Sequence, residues 1–479
     1  MTEAVPVAGV GALDASATLA FEGGEYSGAD IDALVAGLAE TLAARGVRDG
    51  ARVALMSSNR PEFVLAVRAI WQLCAAVVLI SPAWKRDEVA HALAVTAPTH
   101  ALGDQSVLAE LMPMLSLDEP IEPARGHRRP LAPDADALLV FSSGTTGLPK
   151  AVRHTHGSFT AAVEHWRRAL DFTAADRIQV LTPPSHILGL LNIELALRSG
   201  AWVRLHPRFE LERMLRCIEA DRITVEMAVA PIALALAAHP ALETYDLSSL
   251  RYIMWGATPV AVGVAETVTR RTGIGWMPAY GASEVPVIAC NPVCGARLDS
   301  VGRPVPGVDV RIVSLESGMP VETGHTGEIE VRSASRMAGY LPAAATEDAI
   351  RDGWYRTGDV GYLDPDGWLF VTDRAKEMIK VRGFQVAPAE IEAVLHGHPL
   401  VADCAVFGVP DPADGEAVVA AVATTAPVTT TELTTLVADR LATYKRVRRV
   451  VFVDQIPRLP SGKVLRRRLE ERYGRTSDE

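Results

Sequence analysis

Lysine is scarce in this chain of 479 residues, in which arginine supplies most of the 47 basic side chains. Such a bias is typical of GC-rich coding, and we expect a bacterial source. Because arginine is a poor substitute for the compact ammonium of lysine, the remaining lysines are candidates for specific roles. They are Lys85, Lys150, Lys376, Lys380, Lys445 and Lys463.

Cysteines and long hydrophobic runs are also rare. Five cysteines in a chain of this length do not indicate a disulfide framework. The longest apolar runs, 73–80 and 227–238, are shorter than the ~20 residues that cross a bilayer. The N-terminus lacks the basic region of a secretory signal. We therefore expect a cytoplasmic protein without a membrane span.

The charge balance is acidic, with 58 Asp and Glu residues against 47 Lys and Arg residues and a net charge of −11. This balance argues against a general nucleic-acid binder. The hydrophobic fraction of 49% and the charged fraction of 22% are ordinary for a globular protein. The length suggests about three domain-sized units.

Helical and buried-strand patterns alternate from residue 26 onward, which predicts parallel sheets covered by helices. Between 302 and 371 the pattern changes to short strands and turns, and after 373 helices and strands alternate in a smaller unit. We predict an α/β protein. Its large N-terminal domain, 1–372, has parallel sheets with helices and a small β-rich subdomain at about 302–372. A small, mobile α+β C-terminal domain, 373–479, follows.

A Gly, Ser and Thr-rich segment follows the predicted buried strand 137–142. Glycines let backbone N–H groups approach phosphate oxygens, hydroxyls add donors and a lysine adds positive charge. The common G-x-x-x-x-G-K-[ST] loop is excluded, because Ala151 follows the lysine and the glycine spacing differs. The predicted phosphate-binding residues are Ser142, Ser143, Gly144, Thr145, Thr146, Gly147 and Lys150.

The string SSGTTGLPK at 142–150 resembles the signature loop of the adenylate-forming superfamily, which includes acyl-CoA synthetases. Further strings resemble later motifs of that superfamily in the same order. They are PPSHILG at 183–189, GATP at 256–259, YGASE at 280–284, GEIEVR at 327–332 with GY at 339–340, YRTGD at 355–359, DRAKEMIKVRGFQV at 373–386 and PSGK at 460–463. The segment 373–386 is most similar to the 4-coumarate-CoA ligase branch.

The resemblance implies that a carboxylic acid attacks ATP to give an acyl-adenylate, and that CoA then displaces AMP. It implies that Lys463 bridges the carboxylate and the α-phosphate, and that Lys380 and Gln385 assist the chemistry. Glu284, assisted by Thr145, would ligate Mg²⁺, a cation that prefers oxygen ligands. The further residues implied to bind ATP or AMP are Gly256, Ala257, Thr258, Pro259, Tyr280, Gly281, Ser283, Asp359 and Arg374.

The resemblance also places an acid pocket, a CoA channel and a hinge. Lys376 holds the hinge position, where the small domain is expected to rotate between the half-reactions. The implied acid pocket is mostly apolar, which favours an aryl or alkyl acid over an amino acid. Its residues are His186, Met227, Ala230, Trp255, Val285, Pro286 and Val287. The implied CoA residues are Arg382, Gly383, Lys445 and Arg446, although the basic cluster around 445 reads equally well as a solvated charged surface.

The sequence leaves three alternatives open. The protein can transfer the acyl group to the phosphopantetheine of a carrier protein, or bind ligands without catalysis on this scaffold. It can also perform the thioester half-reaction alone on an acyl-adenylate from a partner enzyme. The last alternative arises because Ala151, Trp255 and the pair 278–279 depart from the usual motifs.

Overall fold

The computed structural model describes residues 13–126, 130–142, 149–256, 260, 262–374, 377–381, 384–411, 415–441, 443–458 and 464–474. Within these residues no helix is both long enough and apolar enough to cross a bilayer.

The strands of the described chain are numbered β1 to β26 in chain order. They are Thr18–Phe21, Gly24–Ser27, Arg52–Met56, Ala76–Leu79, His100–Gly103, Met114–Ser116, Asp136–Ser142, Lys150–Thr155, Arg177–Val180, Trp202–Leu205, Val225–Ala228, Tyr252–Trp255, Trp276–Tyr280, Ala289–Cys290, Arg303–Pro304, Val308–Val313, Gly327–Ser333, Gly339–Leu341, Ile350–Arg351, Trp354–Leu363, Leu369–Arg374, Ile379–Val381, Phe384–Val386, Val401–Asp411, Gly415–Thr424 and Arg449–Phe452.

The helices are numbered α1 to α13 in the same way. They are Gly28–Ala44, Pro61–Gln72, Arg86–Thr96, Ser106–Ala109, His156–Ala169, Ile187–Arg198, Leu211–Asp221, Ala230–Ala238, Val262–Thr272, Ala344–Glu347, Pro388–His396, Thr430–Arg440 and Arg466–Tyr473. Short 3₁₀ turns occur at Leu242–Thr244 and Thr443–Lys445.

Two large sheets form the N-terminal part of the molecule. The first has the order β15-β14-β13-β12-β11-β9-β10-β1-β2, and the second has the order β18-β8-β7-β4-β3-β5-β6. Their central pairs are parallel, as predicted, but β8 pairs antiparallel with both β7 and β18. The connection from β7 to β8 is too short for the crossover that parallel neighbours need, so these sheets are mixed.

One hydrophobic core joins the two large sheets. It contains side chains from both sheets and from α1, α2, α5 and α6. A buried ion pair crosses this core, where Arg68 of α2 donates to Glu194 of α6 over 2.8 Å. Removing either partner would leave an uncompensated buried charge, so the pair fixes α2 against α6. The opposite face of the first sheet packs under α7, α8 and α9.

Two smaller sheets follow along the chain. The third sheet has the order β16-β17-β20-β19, with β21 pairing β20, and it matches the β-rich region expected from the sequence. The fourth has the order β23-β22-β25-β24, with β26 parallel to β25. It carries α11, α12 and α13 and has hydrophobic clusters of its own. The third sheet ends at Arg374 and the fourth begins at Ile379.

Candidate active site

A hairpin holds the two ends of the predicted phosphate loop. Ser142 at the end of β7 lies opposite Lys150 at the start of β8. The ring of His91 on α3 bonds the carbonyl of Pro149 at 2.9 Å, which ties the loop to the helix layer. The ammonium of Lys150 lies 5.4 Å from the centre of the Tyr340 ring. The predicted residues Ser143, Gly144, Thr145, Thr146 and Gly147 lie outside the described residues.

The segment 280–286 turns tightly after β13. A Cβ at Gly281 would lie 2.1 Å from the carbonyl oxygen of Pro286, so only glycine fits this close approach. The Ala282 N–H closes the turn by donating to the Val285 carbonyl over 2.9 Å. The turn brings Ser283 and the carboxylate of Glu284 next to strand β8.

Glu284 is buried, with only 7% of its surface exposed, and it is held through both its side chain and its backbone. The Tyr340 hydroxyl donates to its Oε1 over 2.7 Å, and the Met337 N–H donates to its carbonyl over 2.7 Å. The preceding carbonyl, of Ser283, accepts from Nε2 of the buried His154 at 2.7 Å. Burial lowers the pKa of His154 to about 4, so its imidazole is neutral at physiological pH.

A second carboxylate, Asp359, lies between two motif residues. Its Oδ2 accepts from the Tyr280 hydroxyl over 2.5 Å, and its Oδ1 pairs with Nε of Arg374 over 3.1 Å. Burial raises the pKa of Tyr280 well above its usual range, and the Asp359 charge raises it further, so the phenol keeps its proton. Because a carboxylate has about four lone-pair sites, Asp359 can still accept from a ligand's hydroxyls.

The predicted adenine turn begins at Gly256, which is buried directly after β12. Its N–H donates to the carbonyl of Ala228 at 3.3 Å, continuing the parallel pairing beyond the strand. The other predicted residues of this turn, Ala257, Thr258 and Pro259, lie outside the described residues.

Trp255, which the resemblance assigns to the acid pocket, is 1% exposed, and its ring packs 5.1 Å from the ring of Trp276 under α8 and α9. Met227 lies opposite Met254, so Trp255, one residue later, points to the other face of the sheet from Met227. The assignment of Trp255 to the pocket stays a prediction.

Three further residues of the predicted pocket also belong to the packed core. Met227, Val285 and Val287 are almost completely buried in the cluster between the two large sheets. Their assignment to the pocket stays a prediction. The accessible members of the predicted set are His186, at the start of α6, with Ala230 and Pro286. Desolvation of the His186 ring by neighbouring protein atoms lowers its pKa, although part of the side chain is exposed to solvent.

Lys380 and Gln385 are direct cross-strand partners in the β22–β23 hairpin. Lys380 is exposed between the buried Ile379 and Val381, as strand alternation requires. The side chain of Gln385 lies outside the described part of the chain, as do all of Arg382, Gly383, Lys376 and Lys463.

One residue of the basic cluster around 445 forms an ion pair within the protein. The Lys445 ammonium lies 2.5 Å from a carboxylate oxygen of Glu390 on α11, and only 16% of its side chain is exposed. The assignment of Lys445 to CoA binding stays a prediction, and in this structure its ammonium is paired with Glu390. Arg446 is exposed.

Arginines form ion pairs on both sides of the predicted catalytic lysine segment, and no local pattern indicated their partners. Arg458 forms a bidentate pair with Asp403, with N–O distances of 3.0 and 2.7 Å. Arg466 bonds Glu392 at 2.7 Å and also pairs with Glu377, just after the predicted hinge position. These partners are 55 to 89 residues away along the chain, beyond the reach of local pattern reasoning.

The comparisons with known proteins agree with this geometry. The chain belongs to the family of AMP-binding enzymes: the family model for these enzymes matches residues 10–341, and the model for their C-terminal domain matches residues 390–463.

Relatives of known name match over nearly the full chain. The 4-coumarate–CoA ligase 1 of Oryza sativa subsp. japonica is 34% identical, over 94% of this chain and 88% of its own length. The feruloyl-CoA synthase of an Amycolatopsis species is 34% identical, over 93% of this chain and 94% of its own length. The solved structure of o-succinylbenzoate CoA synthetase from Bacillus subtilis with its acyl-adenylate intermediate matches with a TM-score of 0.87 and 31% identity, covering 95% of both chains.

Proposed function

We propose that the protein is an ATP-dependent acyl-CoA ligase that activates an aryl or arylalkenyl carboxylic acid. The observation that carries the proposal is the meeting of two carboxylates with two cations around the phosphate-loop hairpin. Glu284 and Lys150 both contact Tyr340, and Asp359 contacts both Tyr280 and Arg374. The full-length similarity to ligases of 4-coumarate and ferulate supports the choice of acid class.

In this proposal the nucleotide lies along the carboxyl ends of the strands. Lys150 and the hydroxyls of 142–146 bind the phosphates, because a lysine and backbone donors together offset their charge. Asp359 accepts the ribose hydroxyls and Tyr280 offers a flat face to the adenine. The acid enters beside His186, Ala230 and Pro286, the accessible members of the predicted pocket.

A divalent cation fits the donor set at Glu284. Its carboxylate is a hard oxygen ligand, and in the described chain only Oε1 has a hydrogen-bond partner. Mg²⁺ commonly takes one or two carboxylates and completes its shell with phosphate oxygens and water. No group of three His, Cys, Asp or Glu in the described ranges suggests a separate metal centre. We propose Mg²⁺ held by Glu284 with Thr145, where it would supply positive charge to the phosphates.

Two conformations are needed for the two half-reactions. In the conformation for adenylation, Lys463 would neutralise the attacking carboxylate and the α-phosphate. In the conformation for thioester formation, Arg382 and Gly383, which lie between Lys380 and Gln385 in the sequence, would face the acyl-adenylate. We propose that the region 373–479 rotates at Lys376 relative to 1–372. Arg446 is the exposed candidate from the basic cluster for contact with CoA. We also propose a cytoplasmic location and a bacterial source.

A product-mass assay tests the proposal. The protein is incubated with ATP, Mg²⁺ and a panel of benzoic, cinnamic, 4-coumaric, ferulic and medium-chain alkyl acids, with CoA, with a holo carrier protein, or with no acceptor. Aryl-CoA and AMP in the CoA arm support the proposal. Product only with the carrier protein would support carrier loading instead. Thioester only from synthetic acyl-adenylate would show that a partner enzyme must supply the first half-reaction, and no ATP binding by folded protein would indicate a non-catalytic scaffold.

A further inference from the structure

Tyr340 contacts both charged groups that the proposed reaction needs near the phosphates. Its hydroxyl donates to Oε1 of Glu284 over 2.7 Å, and the Lys150 ammonium lies over its ring at 5.4 Å from the centre. The tyrosine is itself buried. One side chain thus contacts an ammonium through its ring and a carboxylate through its hydroxyl.

Neighbouring structure fixes the Tyr340 side chain. The residue pairs with Val152 across β18 and β8, next to the strand end that bears Lys150. Its N–H donates to the Thr346 hydroxyl over 2.9 Å. The Tyr340 hydroxyl donates its proton to Oε1 of Glu284.

The backbone at Glu284 is already held by other residues. Met337 donates to the Glu284 carbonyl, and His154 donates to the Ser283 carbonyl, each over 2.7 Å. Glu284 can then move only by rotation about its side-chain bonds, and the hydrogen bond from the Tyr340 hydroxyl restrains that rotation. A carboxylate that is already oriented loses less side-chain conformational entropy when it binds a cation.

We propose that Tyr340 is a positioning residue that holds Glu284 toward the nucleotide's cation and keeps Lys150 from pairing with it. This role rests on the proposed function. The hydroxyl aims the carboxylate, and the ring separates it from Lys150, so that the ammonium stays available to phosphate. Tyr340→Phe removes the first contribution and keeps the second, whereas Tyr340→Leu removes both.

The test measures ATP binding by calorimetry, with excess Mg²⁺ and with EDTA, in the full-length protein. The ratio of the two dissociation constants reports how strongly the cation is coupled to the nucleotide, without any turnover. For Tyr340→Phe we expect this ratio to fall by about tenfold, since a hydrogen bond to a charged group is lost, while ATP affinity in EDTA stays within about twofold. Tyr362→Phe is the matched control, because Tyr362 stacks on Phe370 in the third sheet and should leave the ratio unchanged.

For Tyr340→Leu we expect weaker ATP binding in EDTA as well, because Lys150 can then pair with Glu284. If Tyr340→Phe does not fold, Thr346→Val, which removes the acceptor of the Tyr340 N–H, should lower the ratio in the same direction by a smaller factor. An unchanged or increased ratio in the folded variant would overturn the proposal, as would an equal loss of affinity with and without the cation. A wild type that fails to bind ATP would instead refute the proposed function.

Discussion

Asp359 lies directly opposite Arg374 across the antiparallel strands β20 and β21, and its Oδ1 is 3.1 Å from the Arg374 Nε. The other carboxylate oxygen accepts from Tyr280, which arrives from the first sheet. One carboxylate thus connects Tyr280 of the first sheet to the strand that precedes the proposed hinge. A ligand that displaces Tyr280 or Arg374 from Asp359 would therefore change the contact of Asp359 with the other residue.

Asp359→Asn should weaken ATP binding by about 10- to 100-fold, because a charge-assisted acceptor for the ribose hydroxyls is lost at a cost of ~1.5–3 kcal/mol. The amide oxygen can still accept from Tyr280, so the fold should be retained. Calorimetric titration with ATP and with the acid measures both affinities, and acid affinity should change less. ATP affinity equal to wild type would show that Asp359 does not contact the ribose. Tyr280→Phe controls for loss of the Tyr280–Asp359 hydrogen bond alone.

Trp255→Ala should destabilise the protein by ~3–5 kcal/mol, the usual cost of truncating a large buried aromatic side chain. The acid profile of any folded fraction should stay the same, because the ring is 1% exposed and packs against Trp276. Thermal unfolding and the acid panel measure the two effects. A wild-type melting temperature together with activity on bulkier acids would show that Trp255 lines the acid pocket.

Arg466→Ala should destabilise the C-terminal region by ~1.5–3 kcal/mol, because Glu392 and Glu377 would lose a half-buried, charge-assisted partner. Arg467→Ala is the matched control one residue away. Its ion pair with Glu471 is exposed and should contribute only ~0–1 kcal/mol. Urea unfolding followed by hydrogen exchange in α11 and α13 distinguishes them. Equal stability of the two variants would show that the ion pairs of Arg466 with Glu377 and Glu392 do not stabilise the C-terminal region.

Glu226 should give the protein a distinct dependence of stability on pH. Burial raises its pKa to about 8, although Gln179 donates to it over 2.6 Å, so the folded protein keeps it neutral. In the unfolded chain it ionises near its ordinary pKa, so its stabilising contribution is complete below that pKa and is lost as pH rises toward 8.

Replacement of this carboxyl by an amide tests the claim. The stability of the wild type relative to Glu226→Gln should decrease between pH 5.5 and pH 8, by at most about 1.4 kcal/mol per pH unit. His206 and His154, whose pKa values burial lowers to about 4, titrate in both proteins and cancel in the comparison. Parallel stability curves for the two proteins would mean that Glu226 is ionised in the fold.

Local patterns in the sequence predicted the elements well. The pattern that begins with Pro388 predicts a helix over 388–396, which is α11 in the structure, and the strand expected at 137–142 forms β7 with one further residue. These elements have strong local signals, such as Pro at the first helical turn and an unbroken apolar run. Two motif residues that are far apart in the sequence, Tyr280 and Asp359, form a hydrogen bond in the structure, and their role in ATP binding stays a prediction.

Contacts between distant segments were not predictable in the same way. Glu226 lies in the strand V-E-M-A, whose apolar neighbours indicated a buried strand, but its partner Gln179 is 47 residues away. The face to which Trp255 points depends on strand register, which the sequence did not fix. The role of Lys445 was uncertain because its partner Glu390 lies on a different element. Such pairings arise from tertiary packing.

The central claim is that one chain performs both half-reactions by presenting two different surfaces to the same site. The most direct measurement assays each half alone, as ATP–pyrophosphate exchange and as CoA consumption from synthetic acyl-adenylate. Lys463→Ala should reduce exchange by ~10²–10³ and leave thioester formation largely intact, since a transition-state donor is lost only from the first half. Lys376→Pro should do the reverse, because a fixed φ hinders rotation at the hinge. An equal loss of both halves in both variants would contradict the claim.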